Sequence, residues 1–595
     1  MTMYEPDELI AAALGADPQW QPDRLTRARS RVAEIEDGLG DPWSPDNPVG
    51  LAAVLAADDS GESSVIGIRR FQNLGMPAEM VPAELGGRMA GVDLLGLVMR
   101  PFFRRDPALA FSHGFTPFLG AQMVWLNGDA RQRSRMANVV LRGGMVGVAC
   151  QRFEHESEFH AQEFTATWAE DGMLRLNGSK GAINNAHTAE LIVGFVSTGD
   201  GATDYSILMF DPASVPPSRV RALPRHRTTG VRGVQAAGLE FLDCPLPGES
   251  LVGTWGDGVA LSLRAYPAVH AAFPSMAIGL ADTALRSAVR AAQERDYGTQ
   301  GPVGDASARS ALAGTFADLL IADCLSLTAA RSTHLLPEQC DVLAAVTKYI
   351  VPKIVGEALY DLSAVMGDAF HAESGHDAVF RKQLRDLSTI TFGHVSSAIC
   401  QSVIAPYLPA LAFVDPDAAT TPADLFRLEV PLPPLDGERL SGFGGDDRLL
   451  DYLGHAAGQL PLALTGLPHA DLLTGLVAGL CEEAAEIRRE AAALTGDGGE
   501  DGLLFDTRSF PLSERYALLL AASACVGVWL NAGVGPDEFL DEPAWLVLAL
   551  HRLLRRIGRS VPPLPREIEA LTCEEVLARV RVPQSLDLLR TGLAG

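Results

Sequence analysis

Cys150-Gln-Arg-Phe-Glu-His-Glu-Ser-Glu158, Leu174-Arg-Leu-Asn-Gly-Ser-Lys180, Ile183-Asn-Asn-Ala186 and Leu239-Glu-Phe-Leu-Asp-Cys-Pro-Leu-Pro247 are the landmarks of the region, 150–253, that decides the fold. Apolar and polar residues alternate in Leu174-Arg-Leu and Leu239-Glu-Phe, and Leu191-Ile-Val-Gly-Phe-Val196 has the composition of a buried strand. The breakers Asn177-Gly178 and Pro245 sit where turns are expected, and Gly230-Val-Arg-Gly233 punctuates the run before its last strand. The region reads as a β module with helices on both flanks.

Outward from it, residues 4–13 and 21–39 are expected to be amphipathic helices, 41–48 a Pro/Asp-rich connector, and 50–145 helical, interrupted by the turn Val81-Pro-Ala-Glu-Leu-Gly-Gly87. On the other side, residues 256–410 carry long helical periodicities such as Leu319-Leu-Ile-Ala-Asp-Cys-Leu325. A Pro-, Asp- and Gly-rich linker is expected over 413–447. Beyond it, Leu473, Leu476, Val477, Leu480, Ala484 and Ile487 form one apolar helix face, expected to pack on the bundle. Residues 516–535 carry no charge and are just long enough to span a bilayer, but they lack a basic flank, so a buried helix is expected.

Composition bounds the function. With 595 residues, 47% of them hydrophobic, the chain has the means to bury several cores, and three or four domains are expected. A net charge of −26 argues against a nucleic-acid surface, since the pairs Arg104-Arg105, Arg488-Arg489 and Arg555-Arg556 make no basic stripe. Eight cysteines without CxxC spacing suit reduced thiols in a cytoplasm, and the acidic first residues carry no secretory signal.

The quoted motifs resemble those of the acyl-CoA dehydrogenase superfamily, particularly its longer members from natural-product pathways, over residues 50–410. The resemblance implies an α+β, mainly α architecture: an N-terminal helical domain (1–145), a middle β-barrel-like domain (146–255), a four-helix bundle (256–412), and an added C-terminal helical extension (448–595). It also implies FAD between the middle domain and the bundle, an acyl thioester substrate on CoA or a carrier protein, and at least a homodimer. Val81-Pro-Ala-Glu-Leu-Gly-Gly87 matches the family's "VPxExGG" turn, and Arg104-Arg-Asp-Pro-Ala-Leu-Ala110 its lead into the acyl-site helix.

At the positions that carry the family's chemistry the sequence departs from it. The family's Glu base falls on His394, after Arg385-Asp386; imidazole is a base near neutral pH and replaces the carboxylate in kind. The "TExxxGSD" contacts to the flavin edge fall on Gln151, Arg152, Glu156, Ser157 and Glu158, of which Ser157 is kept, and Arg152 is a permanent cation placed to stabilise a developing enolate. The Trp that shields a flavin face is replaced by Ala182. The FAD phosphate motifs fall on Arg295, Tyr297, Gly298 and Gly367, with Asp368 alongside as an unfavourable charge. On a strand, Glu154, Glu156, Glu158 and His160 share one face, the pattern of a metal site or of a solvated acidic edge; the acidic edge is the expectation, and no metal is assigned. Two readings stand: an FAD-dependent α,β-oxidation of an acyl thioester with His394 and Arg152 as catalytic residues, or an FAD-free protein on the same fold that performs a non-redox step such as a cyclisation, or binds a partner.

Overall fold

The computed structural model describes residues 24–149, 164–199, 201, 203–294, 303, 305–375, 377–392, 396–413, 421–440, 447–494, 508–531 and 537–595. The chain begins with helices α1 (Arg24–Leu39), α2 (Leu51–Ser60), α3 (Val65–Asn73) and α4 (Val92–Arg105). A π-helical stretch, Ala110–Phe115, leads into α5 (Thr116–Asn127), and α6 (Ala130–Leu141) follows behind an Asp129/Gln132 capping box. Between α3 and α4 lies the turn 81–87. A Cβ on Gly87 would stand 1.9 Å from the Val81 carbonyl oxygen, so only glycine closes it.

Eight strands follow: β1 (Met145–Ala149), β2 (Phe164–Trp168), β3 (Leu174–Asn184), β4 (Ala189–Ser197), β5 (Tyr205–Phe210), β6 (Val220–Arg225), β7 (Ala236–Leu246) and β8 (Leu251–Val252). Their order is β6-β7-β3-β1-β4-β5-β8, and β2 pairs with both β3 and β4. Period-two alternation divides each central strand between two cores. Leu191 and Val193 join Val146, Val148, Ile207 and Met209 against the helices, while Ile192 and Val196 join Leu208 and Phe210 in a core that the β module keeps for itself. At Gly120 of α5 an added Cβ would meet Val146 at 2.8 Å, so the helix rests directly on the sheet.

Two expected turns are corrected. Asn177-Gly178 and Pro245 lie inside β3 and β7, at an irregularity rather than a reversal. The β3–β7 register shifts between Leu176 and Gly178, Gly178 takes φ +100°, and the Asn177 side chain accepts a 2.7 Å bond from the Asp243 N–H. The breakers therefore form a β-bulge that bends a long ribbon, because both strands are held by neighbours on either side of the bulge.

The second helical region comprises α7 (Gly258–Glu294), α8 (Ala306–Leu335), α9 (Cys340–Met366), α10 (Asp377–Phe392) and α11 (Ser397–Ile404). α7 and α8 pass the length and apolarity test for crossing a membrane, yet 94% of each tested window is buried against protein. The extension adds α12 (Arg448–Ala463), α13 (Ala470–Ala492), α14 (Ser509–Leu530), α15 (Ala544–Ile557) and α16 (Arg566–Arg581). All six residues of the apolar stripe on α13 are buried, and α14 buries an unbroken run from Tyr516 to Val528. Arg552 and Arg556 of α15 both pair with the fully buried Asp318 of α8, which fixes the extension to the bundle.

The described part of the linker, 421–440, lies along the protein. Arg331 of α8 donates to the carbonyls of Asp424 and Val430, Arg24 of α1 donates to Leu428, and both arginines meet on Asp93. Burial favours protonation of Asp93, but the two guanidiniums outweigh it and hold its carboxyl well below the usual range.

The last turn of the chain is sewn into the first half. Arg100 of α4 donates to Asp587 at 3.1 Å and to Asp323 of α8, and to the carbonyl of Ser275 of α7 at 2.9 Å. Arg104 pairs with Glu36 of α1 and, at 3.1 Å, with Asp282 of α7. Asp282 and Asp323 in turn accept the backbone N–H groups of Leu586 and Leu588, each at 2.9 Å. Replacing Asp587 by Ala leaves two buried guanidiniums undercompensated, and a loss of about 3–5 kcal/mol is expected. Denaturant unfolding of the Asp587→Ala protein checks this, with a change below about 1 kcal/mol counting against the role.

Candidate active site at the junction of sheet and bundle

β1 and β2 occupy the same slot between β3 and β4. Val148 pairs with Asn184 and Ala149 with Gly194; after the intervening residues, Phe164 pairs with Gly178. Gln151, Arg152 and Ser157 therefore belong to a segment whose two ends are anchored in mid-sheet, although the segment itself, with its acidic edge, lies outside the described residues. His394, Arg295 and Tyr297 also lie outside them. Of the eight candidate residues, Ala182 and Gly367 are described, on separate elements.

Around the slot the sheet is fastened to the helices at two points. The first is Asn185, fully buried with φ +64°, a conformation asparagine tolerates better than most residues. Its side chain accepts from the Ser112 hydroxyl at 2.7 Å and donates to the carbonyls of Ser112 and Val146. Ser112 sits in the π-helical stretch, a distortion that re-aims side chains and recurs at functional sites.

The second point is Gly230-Val-Arg-Gly233. A Cβ on Gly230 would lie 2.4 Å from the Arg385 carbonyl oxygen, and the Gly230 N–H donates to the Thr389 hydroxyl. Val231 takes φ +43°, a strained conformation for a β-branched residue costing about 1–3 kcal/mol, and is held there by a 2.7 Å bond from its N–H to Asp386. Asp386 also accepts from the buried Lys382 at 2.5 Å, while Arg385 pairs with the buried Asp58. Burial disfavours the Lys382 ammonium, but Asp386, Asp106 and Asp58 outweigh it and raise its pKa. Arg385-Asp386 thus clamps the β6–β7 connection onto α10.

The residues present fit one end of FAD. Ala182 is half-buried where β3 shifts register between Lys180 and Ile183, and a Cβ on Gly181 would meet nothing within 4 Å. β3 is paired with β7 on one side here, so the room among the described residues lies over Gly181 and Ala182, where no aromatic plate stands in the way of a flat ring system. At the phosphate end, Gly367 closes α9 with φ +53° and ψ −131°, a backbone open to glycine. Beside it Asp368 is exposed, and its charge opposes a pyrophosphate.

Sequence reasoning passed over Lys348. It lies on α9 and is 4% exposed; its amine donates to the Thr391 carbonyl at 3.0 Å and stands 4.8 Å from the ring centre of Phe273. Phe273 stacks on Phe115, with ring centres 4.1 Å apart, and Phe111 completes an aromatic cluster at the π-helical stretch. Burial pushes the amine down to about 8, against a small opposing effect of the Cys400 thiol, itself pushed up to about 11. The signal was present in the composition: Lys180, Lys348, Lys353 and Lys382 are the chain's lysines, against 48 basic residues, and Lys180, Lys348 and Lys382 are buried. Where a chain writes nearly every cation as Arg, a buried Lys marks a place that needs a compact amine.

A depressed pKa in a basic group means that folding favours its neutral form. The cost of charging Lys348 is therefore present below about pH 8 and disappears as pH rises from about 8 toward the ordinary value of 10.5. The stability of the wild type relative to Lys348→Met should rise by up to about 3 kcal/mol across that window. Paired urea titrations near neutral pH and near pH 10 measure it, and a pH-independent difference would contradict the assignment.

No family model matches the chain. By sequence it is 29% identical over 233 residues to the human mitochondrial short-chain specific acyl-CoA dehydrogenase, which is 38% of this chain and 55% of that protein, so the chain spans about half the length of that curated relative. By structure it resembles the Bacillus anthracis acyl-CoA dehydrogenase complexed with FAD, with a TM-score of 0.58 and 15% identity over 98% of this chain and 97% of that one. The helices of the extension thus have a counterpart there. The prolyl acyl carrier protein oxidase AnaB aligns with a TM-score of 0.56 and 16% identity over 64% of this chain and 98% of that one.

Proposed function

We propose that the chain, as a divergent member of the acyl-CoA dehydrogenase superfamily, oxidises an acyl thioester, bound to CoA or to a carrier protein, in a cytoplasmic pathway of secondary metabolism. The observation that carries the reading is the double fastening of the sheet, to the N-terminal helices through Asn185 and Ser112 and to the bundle through Val231 and Asp386. The first bond fixes the end of β3 and the second holds the β6–β7 connection against α10, the fixed relation required by a reaction that takes a proton from one carbon and a hydride from its neighbour.

FAD, if held beside Gly181 and Ala182, would supply a hydride acceptor. His394 then removes the α-proton of the thioester, and Arg152 meets the negative charge that develops on its oxygen. By the family resemblance, Gln151 and Ser157 would serve the ring edge and Arg295, Tyr297 and Gly367 the phosphates, across the subunits of at least a homodimer. A second reading, a non-redox step on an FAD-free protein, is favoured by two observations: the missing plate at Ala182 and the exposed Asp368 beside Gly367.

Anaerobic addition of an acyl thioester to the purified protein tests the proposal. A yellow protein whose visible absorbance bleaches on substrate supports it, and His394→Ala should retain the colour while losing about 10²-fold or more in the bleaching rate. A colourless protein whose melting temperature ignores added FAD sinks the redox reading and leaves the second. A yellow protein that bleaches equally fast after His394→Ala shows that the base lies elsewhere.

A further inference from the structure

α6 is a basic helix on a chain of net charge −26. Its inner face, Gln132, Met136, Ala137, Val139 and Val140, is buried, and Gln132 ties it to the carbonyls of Glu249 and Leu251. Its outer face sets Arg131, Ser134, Arg135, Asn138 and, just beyond the last turn, Arg142 along a groove of about 570 Å³, which Glu190 and Asp211 complete. Arg142 pairs with Glu190, and Arg135 lies 3.5 Å from Asp211 with its side chain 49% exposed. Arg131, also exposed, has no ion-pair partner among the described residues. Three guanidiniums against two carboxylates leave the groove positive in a molecule that otherwise repels anions, and such a local field steers an acidic partner to one place.

The position of the groove adds the second argument. It reaches Glu190 and Leu191 at the start of β4, whose parallel neighbour β1 begins at Met145 and ends at Ala149, opposite Gly194. At roughly 3.3 Å per residue the strand carries the chain about 13 Å from Met145, beside the groove, to Ala149, one residue past the pairing of Val148 with Asn184. An extended phosphopantetheine arm covers a distance of that order.

We infer that the α6 groove is the docking surface of an acidic carrier protein, which presents its acyl thioester to the sheet–bundle junction on a phosphopantetheine arm. The inference rests on the reading of the substrate as an acyl thioester and selects the carrier-bound form over the CoA ester. Rim arginines of this kind act through association and are screened by salt.

The test is fluorescence anisotropy of a labelled holo-acyl carrier protein titrated with the full chain. Binding should weaken with added salt, and should weaken about tenfold or more in Arg131→Glu/Arg135→Glu, while Arg131→Lys/Arg135→Lys stays within about threefold of wild type. Melting temperatures confirm folding, and if the double reversal is unstable, Arg131→Ala alone should weaken binding about threefold. Absence of binding by the wild type, or binding indifferent to the reversal, overturns the inference. Turnover separates it from the reaction proposed above. Oxidation of a carrier-bound thioester that ignores Arg131 and Arg135 leaves the reaction standing and removes the docking site. Binding that depends on both arginines, without any oxidation, keeps the docking site and removes the reaction.

Discussion

Asp587, eight residues from the end of the sequence, is the point on which the helical architecture closes. Its carboxylate lies between Arg100 and Arg104 of α4, and its own backbone carbonyl accepts from Arg579 of α16 at 2.7 Å. Burial favours its protonation, but the two arginines prevail and its pKa falls. The cations on α4 would be intolerable alone at this depth, and so would Asp282 and Asp323 on α7 and α8. Each is satisfied only when α1, α4, α7, α8 and the tail arrive together. The network therefore specifies the arrangement more than it adds stability, since a well-packed apolar joint would hold the helices at least as firmly.

The sheet is attached by different means. Its helix-facing residues bury apolar surface on α5, which is non-directional and tolerates sliding. Direction comes from a few polar contacts, Asn185 on Ser112 and Val231 on Asp386, and the strain at Val231 shows that the connection is held in place rather than relaxed into it. The same charges do two tasks: Asp386 neutralises Lys382 inside α10 and fixes the loop outside it. A junction built this way keeps its geometry even where the side chains of the chemistry have drifted, as at Ala182.

Much of this was legible in the sequence because it follows from local periodicity. The stripe of Leu473, Leu476, Val477, Leu480, Ala484 and Ile487 could only be one buried helix face, and Leu191 to Val196 only a strand with apolar neighbours on both sides. Asn177-Gly178 and Pro245 misled for the same reason: a breaker signals a departure from ideal geometry, and whether it becomes a turn or a bulge depends on pairing partners far along the chain. Lys348 was silent because its meaning lies in what surrounds it, although its rarity of type was visible from the start.

The sequence by itself determined the order of helical and strand regions and the family resemblance, since hydrophobic spacing and short motifs are properties of neighbouring residues. The tertiary structure alone decided that Arg104 meets Asp282, that Asp386 holds Val231 from a different domain, that the linker is strapped by Arg24 and Arg331, and that α6 turns its arginines outward along a groove. Buried charges find partners hundreds of residues away, and their choice is settled by which arrangement leaves none of them unpaired, a condition on the whole molecule that no window of sequence contains.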